Sequence, residues 1–460
     1  MEGLEIKEKK LYEVLSNKDF RIDSSFYTKE PKKNPDLIYA KIGEHLISSQ
    51  YGISIEMNTD SVGYPIYRMN EIHDMLCDLD VDKCADITQA EYDRFALKDR
   101  DVLFNRTNSF EWVGRTGIYY QNDDIQRTFA SYLVRLNPKD SILPEYLCAY
   151  LNCKYGEWDV KRRARQSINQ TNVNPEEVKE IEIPILDIDL QQKIRCCFTQ
   201  ANSLRILSQK TYSEAELILH NGLGVNSVAV TDVNVSQKRF SDFINSGRLD
   251  AEYYQPKYDD LFSRLSKFES KRLGNMVQIR KSIEPGSEAY QNKGIPFIRV
   301  SNLSKFGFSD TEIHLSPDEY KDIIRPKQNT ILLSKDGSVG IAYKVEQDMD
   351  VITSGAILHL TITDNEFMPD YLTLVLNSVI VGMQAERDAG GSIIQHWKPS
   401  EIENVIIPKL SKEIQQEITN KVKESFALRR ESKHLLNLAK TAVEIAIEKG
   451  ENLAMELLNL

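Results

Sequence analysis

The chain has 460 residues, which at roughly 150 residues per domain predicts about three units. Apolar residues at 41% and charged residues at 28% exclude a disordered chain. No apolar run approaches the roughly 20 residues of a membrane span, and the net charge of −11 counts against a nucleic-acid partner, although the distribution of charge decides more than its sum.

Taken in chain order, residues 1–20 match nothing else in the sequence, and their charged start predicts no signal peptide. Residues 21–188 mix short β-like runs with turn residues and carry one helix near 144–154, with Pro144 where its first turn begins. From Asp189 to Asn221 there is no Pro and no Gly. There Ile194, Cys197, Ala201, Leu204, Ala215 and Ile218 fall near a heptad seam, with polar Ser208 and Thr211 filling the gap. A spacer helix over 189–221 follows, ended by Gly222 and Gly224. Residues 222–243 read as a linker. Residues 244–411 return to β-like runs, such as Pro296–Val300, Thr330–Ser334 and Ala356–Leu360, with a helix near 369–380 behind Pro369. A second spacer helix is expected over 412–453, with Ile418, Val422, Phe426, Leu435, Leu438, Ala442 and Ile445 on its seam. A helix of about 33 residues reaches roughly 50 Å. An apolar stripe of that length needs a partner, and antiparallel pairing of the two helices is expected rather than each folding back on its own domain.

The halves are copies of one another. Arg21-Ile-Asp23 pairs with Arg248-Leu-Asp250, Gly63–Asn70 with Gly294–Ser301, Leu103-Phe104 with Leu332-Leu333, and Pro144–Leu147 with Pro369–Leu372. Leu151-Asn152 pairs with Leu376-Asn377, Ser167–Gln170 with Ser392–Gln395, Ile183-Pro184 with Ile407-Pro408, and Gln191-Gln192 with Gln415-Gln416. The offsets stay between 224 and 231. Such a period is too long for a solenoid and marks the tandem duplication of a whole domain with its helix.

Sequence signals for catalysis are missing. No Gly-x-x-x-x-Gly-Lys-Ser/Thr loop occurs. Asn-Pro occurs at 34, 137 and 174 without the Pro-aromatic continuation of adenine methyltransferases. Pro-Asp occurs at 35, 317 and 369 without the Glu-x-Lys of many nucleases. The seven histidines and six cysteines show no metal-ligand spacing, and the cysteines read as reduced thiols of a cytoplasmic protein. Asp336-Gly-Ser-Val-Gly340 reads as a tight turn between strands.

Several loops carry more donors than acids. Over 154–165, Lys154, Lys161, Arg162, Arg163 and Arg165 outnumber Glu157 and Asp159, and the stretch leads into Gln170 and Asn172. Arg grips phosphate and guanine, while Asn and Gln bond adenine. The corresponding loop of the second copy, Arg387–Lys398, keeps Ser392 and Gln395 but replaces the basic cluster with glycines. Arg106, Asn108 and Arg115 follow one strand end, and Lys335 follows its counterpart. Arg68 and Asn70 pair with Arg299 and Asn302. For each of these residues a solvated surface role competes with DNA contact. The framework recurs between copies while the loop chemistry diverges, which suits an asymmetric two-part site whose gap a helical spacer fixes.

These stretches resemble the specificity subunit of type I restriction-modification systems along nearly the whole chain. The resemblance lies in Gly294–Leu303, Ile331–Gly340, Ser392–Pro399 and Val405–Pro408 before the Gln415-Gln416 helix, each in order and duplicated. Copy one matches less well, since its Arg106–Arg115 loop lacks the compact Gly-Ser-Val-Gly turn. The resemblance implies an α+β fold of two target-recognition domains, separated by two long antiparallel coiled-coil helices with pseudo-two-fold symmetry. It implies a non-catalytic subunit that reads a bipartite site in double-stranded DNA and binds two modification subunits, with no membrane contact. No cofactor is expected in this chain. S-adenosylmethionine belongs to the modification subunit, and ATP and Mg to restriction subunits, up to two, where they join. The alternative is a coiled-coil protein-interaction scaffold without DNA binding; an enzyme with an unfamiliar site stands behind it.

Overall fold

The computed structural model describes residues 6–15, 21–28, 31, 33–167, 170–224, 235–389 and 395–459. The chain divides into two compact units, Met1–Ile206 with Leu428–Leu460, and Leu207–Ala427.

In the first unit, short helices α1 (Leu11–Leu15) and α2 (Ser24–Thr28) precede strands β1 (Tyr39–Lys41), β2 (Leu46–Tyr51), β3 (Tyr64–Tyr67), β4 (Ile72–His73), β5 (Leu76–Cys77) and β6 (Cys84–Ala85). Helix α3 (Gln89–Phe95) starts at a capping box, in which the Glu91 amide donates to the Thr88 hydroxyl and the Thr88 amide to the Glu91 carboxylate. Strands β7 (Asp101–Asn105), β8 (Thr107–Asn108), β9 (Thr116–Tyr119), β10 (Thr128–Phe129) and β11 (Leu133–Pro138) follow. Then come helices α4 (Pro144–Asn152) and α5 (Lys154–Arg163), strands β12 (Arg165–Gln166) and β13 (Thr171–Asn172), helix α6 (Pro175–Lys179) and strand β14 (Glu182–Pro184). The main sheet runs β2-β11-β7-β9-β5-β4. Its central strand β7 is buried along its whole length, as a strand flanked on both sides and covered by α4 must be. A second sheet, β10-β3-β6, pairs β3 and β10 in parallel. The long helix α7 (Ile188–Leu223) leaves this domain.

The second unit repeats the plan. Helices α8 (Phe240–Ser246) and α9 (Pro256–Leu265) precede β15 (Ser270–Arg272), β16 (Val277–Lys281), β17 (Ile295–Ile298), β18 (Leu303–Ser304), β19 (Gly307–Phe308) and β20 (His314–Leu315). Strands β21 (Ile331–Ser334), β22 (Ala342–Lys344), β23 (Ile352–Thr353) and β24 (Ile357–Ile362) follow. Helices α10 (Pro369–Leu376), α11 (Val379–Asp388) and α12 (Pro399–Glu403) and strand β25 (Ile406–Pro408) complete the domain. Helix α13 (Lys412–Lys449) follows, then α14 (Glu451–Leu458). The order β16-β24-β21-β22 reproduces β2-β11-β7-β9, and the parallel pair β17-β23 reproduces β3-β10.

The residues that repeat hold equivalent joints. Asn152 and Asn377 each donate to a strand carbonyl, of Thr116 at 2.8 Å and of Ala342 at 2.7 Å. Gln191 accepts from the Leu143 amide and Gln415 from the Met368 amide, capping the first turn of α4 and of α10. Tyr27 and Tyr254 donate to the carbonyls of Arg21 and Arg248.

Several expectations are adjusted. Residues 154–165 are mostly helix α5, not loop, because the chain turns at Cys153 and starts a new helix. Among the described residues before Arg21, α1 precedes it as α8 precedes Arg248. The end of the expected linker carries the start of α8, while residues 225–234 lie outside the described residues. The second spacer helix ends at Lys449, where Gly450 takes a positive φ of 94° that breaks the helix before α14.

The two long helices pair antiparallel within each unit. In the first, the Ser432 hydroxyl donates to the Ala201 carbonyl at 2.7 Å, and Arg429 lies near Arg205. In the second, Ser208 and Ser425 exchange hydroxyl-to-carbonyl bonds of 2.9 and 2.8 Å, and Lys421 meets Glu214 at 2.7 Å. Numbers that rise on α7 fall on α13, as antiparallel packing requires.

Candidate nucleic-acid interface

In the first unit three separate stretches meet. Strand β8, just past Arg106, pairs with β13, which pairs with β12. The Arg106 loop and the Arg165–Asn172 run, about sixty residues apart in sequence, therefore form one small sheet. The Arg106 amide donates to the Tyr132 carbonyl, and its guanidinium reaches the Ser131 carbonyl while lying 5.1 Å from the Tyr51 ring. The Ala130 amide donates to the Tyr67 carbonyl at 2.8 Å, so the Arg68–Asn70 turn leaves from the same edge. Asn70, Arg165, Gln166, Ser167 and Gln170 are exposed there, and Arg68, Arg106, Asn108 and Arg115 half-buried. Ile168 and Asn169 lie outside the described residues.

The second unit brings the equivalent stretches together. Asp336 bridges His396 as Thr107 pairs Asn172, the Gly337 amide donates to the Gln395 carbonyl at 3.0 Å, and the Lys335 amide donates to the Ala356 carbonyl at 2.9 Å. The Ser354 amide donates to the Ile298 carbonyl at 2.8 Å, which draws in the Arg299–Asn302 turn. Arg299, Gln395, His396 and Lys398 are exposed. Residues 390–394, with the expected Ser392, lie outside the described residues. The Asp336–Gly340 segment is the tight β21–β22 turn that the glycines suggest, with Gly337 and Gly340 at positive φ.

Several expected contacts turn inward instead. Arg163 is buried, donates to the carbonyls of Asp159 and Glu177 and pairs with the Asp159 carboxylate; burial holds its guanidinium below the usual arginine range. Arg162 shares that carboxylate and donates to the Phe26 carbonyl. On α5 the phase of the helix points both toward α2 and α6, so neither is a free cation for phosphate. Lys335 is 14% exposed along its side chain and is paired with Asp336. Burial pushes the Asp336 carboxyl up, but Lys335 and His396 outweigh it and hold it low. Asn302 spends its amide on Ser309 and Asp310 and accepts from the Arg299 amide, which shapes the turn. Arg68 is tied to Glu71. Arg165 remains 52% exposed beside Glu177, and Lys398 is 74% exposed beside Glu401.

Tyr51, Lys281, His396 and Phe110 were not singled out from sequence. Tyr51 opposite Val134 and Lys281 opposite Leu358 end equivalent strands, so extending the repeat between Arg21 and Gly63 points to both. Among the described residues no group of three or more His, Cys, Asp or Glu could hold a metal, and no helix is long and apolar enough to cross a membrane.

A duplicated α+β domain, each copy with its long helix and its own converging loops, defines the class of tandem domain-and-helix proteins. Residues 266–436 match the family described as type I restriction modification DNA specificity domain. A chain of Methanocaldococcus jannaschii named as the MjaX specificity subunit of a type I restriction enzyme is 23% identical over 406 residues, covering 85% of this chain and 88% of that one. The EcoKI specificity subunit of Escherichia coli K12 is 23% identical over 144 residues, 31% of each chain. A solved S subunit of a type I restriction-modification system from M. genitalium aligns over 93% of this chain and 97% of its own, at 13% identity and a TM-score of 0.34. The HsdS subunit of Thermoanaerobacter tengcongensis aligns over 91% and 98%, at 13% identity and a TM-score of 0.30. The chain is similar to the specificity subunits of type I restriction-modification systems, through the family match in its second half and the M. jannaschii relative over most of its length.

Proposed function

We propose that this chain is the non-catalytic subunit that selects the DNA sequence for a type I restriction-modification enzyme, each domain reading one half of a bipartite, asymmetric site. The observation that carries this reading is the equivalence of the two loop clusters in framework combined with their difference in chemistry. Amide and guanidinium groups crowd the first, whereas glycines, His396 and Lys398 mark the second. Two unlike readers on one scaffold suit two unlike half-sites.

Asn70, Arg106, Asn108, Arg115, Arg165 and Gln170 contact DNA from the first domain, and Arg299, Gln395 and Lys398 from the second. Arg68, Asn302 and Lys335 position the loops. Two modification subunits, holding S-adenosylmethionine, bind this chain and methylate adenine, and restriction subunits join where cutting occurs. The acidic total charge is compatible with DNA binding because Arg106, Arg115 and Arg165 stand in the loops that meet in the first domain and the partners complete the grip. The test is methylome sequencing of the source cell with and without the gene. Adenine methylation at one bipartite motif disappears on deletion; methylation retained at every motif refutes the reading and favours the scaffold without DNA binding.

A further inference from the structure

The β7–β9 hairpin loop of the first domain has no counterpart of its size in the second, where β21 and β22 are joined by the tight Asp336–Gly340 turn. It carries Phe110, 46% exposed, between Arg106 and Arg115. The loop is held at many points. The Gly114 amide donates to the Asn105 carbonyl at 2.8 Å and the Val113 amide to the Ser109 carbonyl at 2.9 Å. Gly114 sits at φ 92°, and a Cβ there would stand 2.5 Å from Val160. The Lys161 ammonium, on α5, donates to the carbonyls of Phe110, Glu111 and Val113, and burial brings its pKa down to about 8. Arg115 stacks on the Trp112 ring at 3.2 Å from its centroid.

The Lys161 nitrogen also lies 5.2 Å from the Phe110 ring centroid, so one side of the ring rests on the protein while the ring stays half exposed. A ring standing clear of the surface would suit insertion between stacked bases. One laid against its own loop, two residues beyond a strand of the candidate interface, offers instead a flat apolar patch to a base edge. In the major groove the apolar feature of a base edge is the thymine methyl.

We infer that Phe110 is a specificity-determining residue that packs on a thymine methyl within the half-site read by residues 21–188. This rests on the DNA-recognition reading above. Arg106 and Arg115 hold the neighbouring backbone, and the tied loop meets the base without reorganising.

The test uses the full chain in complex with its methyltransferase partners and duplexes carrying the methylated motif, with each thymine replaced singly by uracil. For the unaltered complex, one uracil in one half-site weakens binding about fourfold, the worth of one buried methyl group. Phe110→Ala weakens binding to the thymine duplex at least as much and makes that uracil neutral, while Phe110→Leu retains part of the preference. Phe110→Ala bound as tightly as the unaltered protein overturns the inference, as does an undiminished uracil penalty in that variant. Failure of the unaltered complex to prefer its motif over a scrambled duplex overturns the DNA-recognition reading itself, and the inference with it.

Discussion

Arg163 and Arg165 stand two residues apart, and the structure gives them opposite consequences. Removing the Arg163 side chain leaves Asp159 buried with only Arg162 against it, so Arg163→Ala is expected to destabilise the first unit by on the order of 3 kcal/mol, read as a lower urea midpoint. Arg165→Ala leaves the urea midpoint nearly unchanged, weakens DNA binding by the complex and lowers the slope of log affinity against log salt by about one, as does Lys398→Ala. A slope equal to that of the unaltered protein removes the residue from the phosphate contacts. The sequence showed a basic cluster at 161–165, but only the structure separates the inward from the outward cation: Arg163 stands on α5 four residues after Asp159, whereas Arg165 lies past the helix end on β12. His359 adds a pH prediction. It is buried on β24 with Nε2 2.7 Å from the Thr353 hydroxyl, and desolvation brings its pKa down to about 4. The unfolded chain takes up a proton below about 6.5 while the folded one refuses it until about 4, so stability present above pH 6.5 is lost as pH falls through that window, by up to roughly 3 kcal/mol. His359→Gln, which does not titrate, flattens the acid limb of the urea midpoint against pH; a limb of unchanged steepness refutes the assignment.

At the scale of elements, the polar gap in the first spacer helix has a use. Ser208 and Ser425 satisfy each other inside the seam, which removes the cost of burying a hydroxyl and gives the paired helices one preferred register. Ser208→Ala removes one hydroxyl-to-carbonyl bond and costs about 1 kcal/mol, and because the Ser425 hydroxyl keeps the carbonyl of residue 208, Ser208→Ala with Ser425→Ala costs about the sum of the two single variants. Equal costs for the single and double variants, in chemical denaturation, refute the pairing. The helices were legible because they lack Pro and Gly and repeat apolar residues. The seam of the second was only partly legible. Ile418, Val422, Phe426 and Ala442 are buried as expected, but beyond Phe426 the burial otherwise falls on Leu436, Ala439, Val443, Ala446 and Ile447, leaving Leu435, Leu438 and Ile445 half-buried. A straight helix drifts about 20° per heptad, so a strict repeat loses its face over such a length. The short strands β8, β12 and β13 were illegible, because two-residue strands are defined by their partners rather than by their own pattern.

At the scale of the whole molecule, the duplication was the most legible feature, since framework joints such as Asn152 and Asn377 recur with little drift. The candidate contacts were legible as regions and not as residues, because a loop's donors count only once their acceptors are known. Asn302 and Lys335 look free in sequence and are committed in the structure. The equivalence of the domains also predicts exchange. Replacing residues 21–188 with the matching domain of another family member changes one half of the methylated motif and leaves the other as it was, read by methylome sequencing. Change in both halves, or in neither, refutes independent reading.

The division of the chain has a consequence for its synthesis. Unit two is one unbroken stretch, whereas unit one needs Leu428–Leu460. Those last residues supply Leu436, Ala439, Val443, Ala446, Ile447 and Ala454 to a core shared with Ile194 and Phe198. At 5–20 residues per second, the ribosome takes roughly 10–40 s to cross the intervening stretch. The domain translated first therefore waits with an open apolar side while the domain translated second closes. A frameshift in the codons for residues 428–460 would therefore strike the domain translated first.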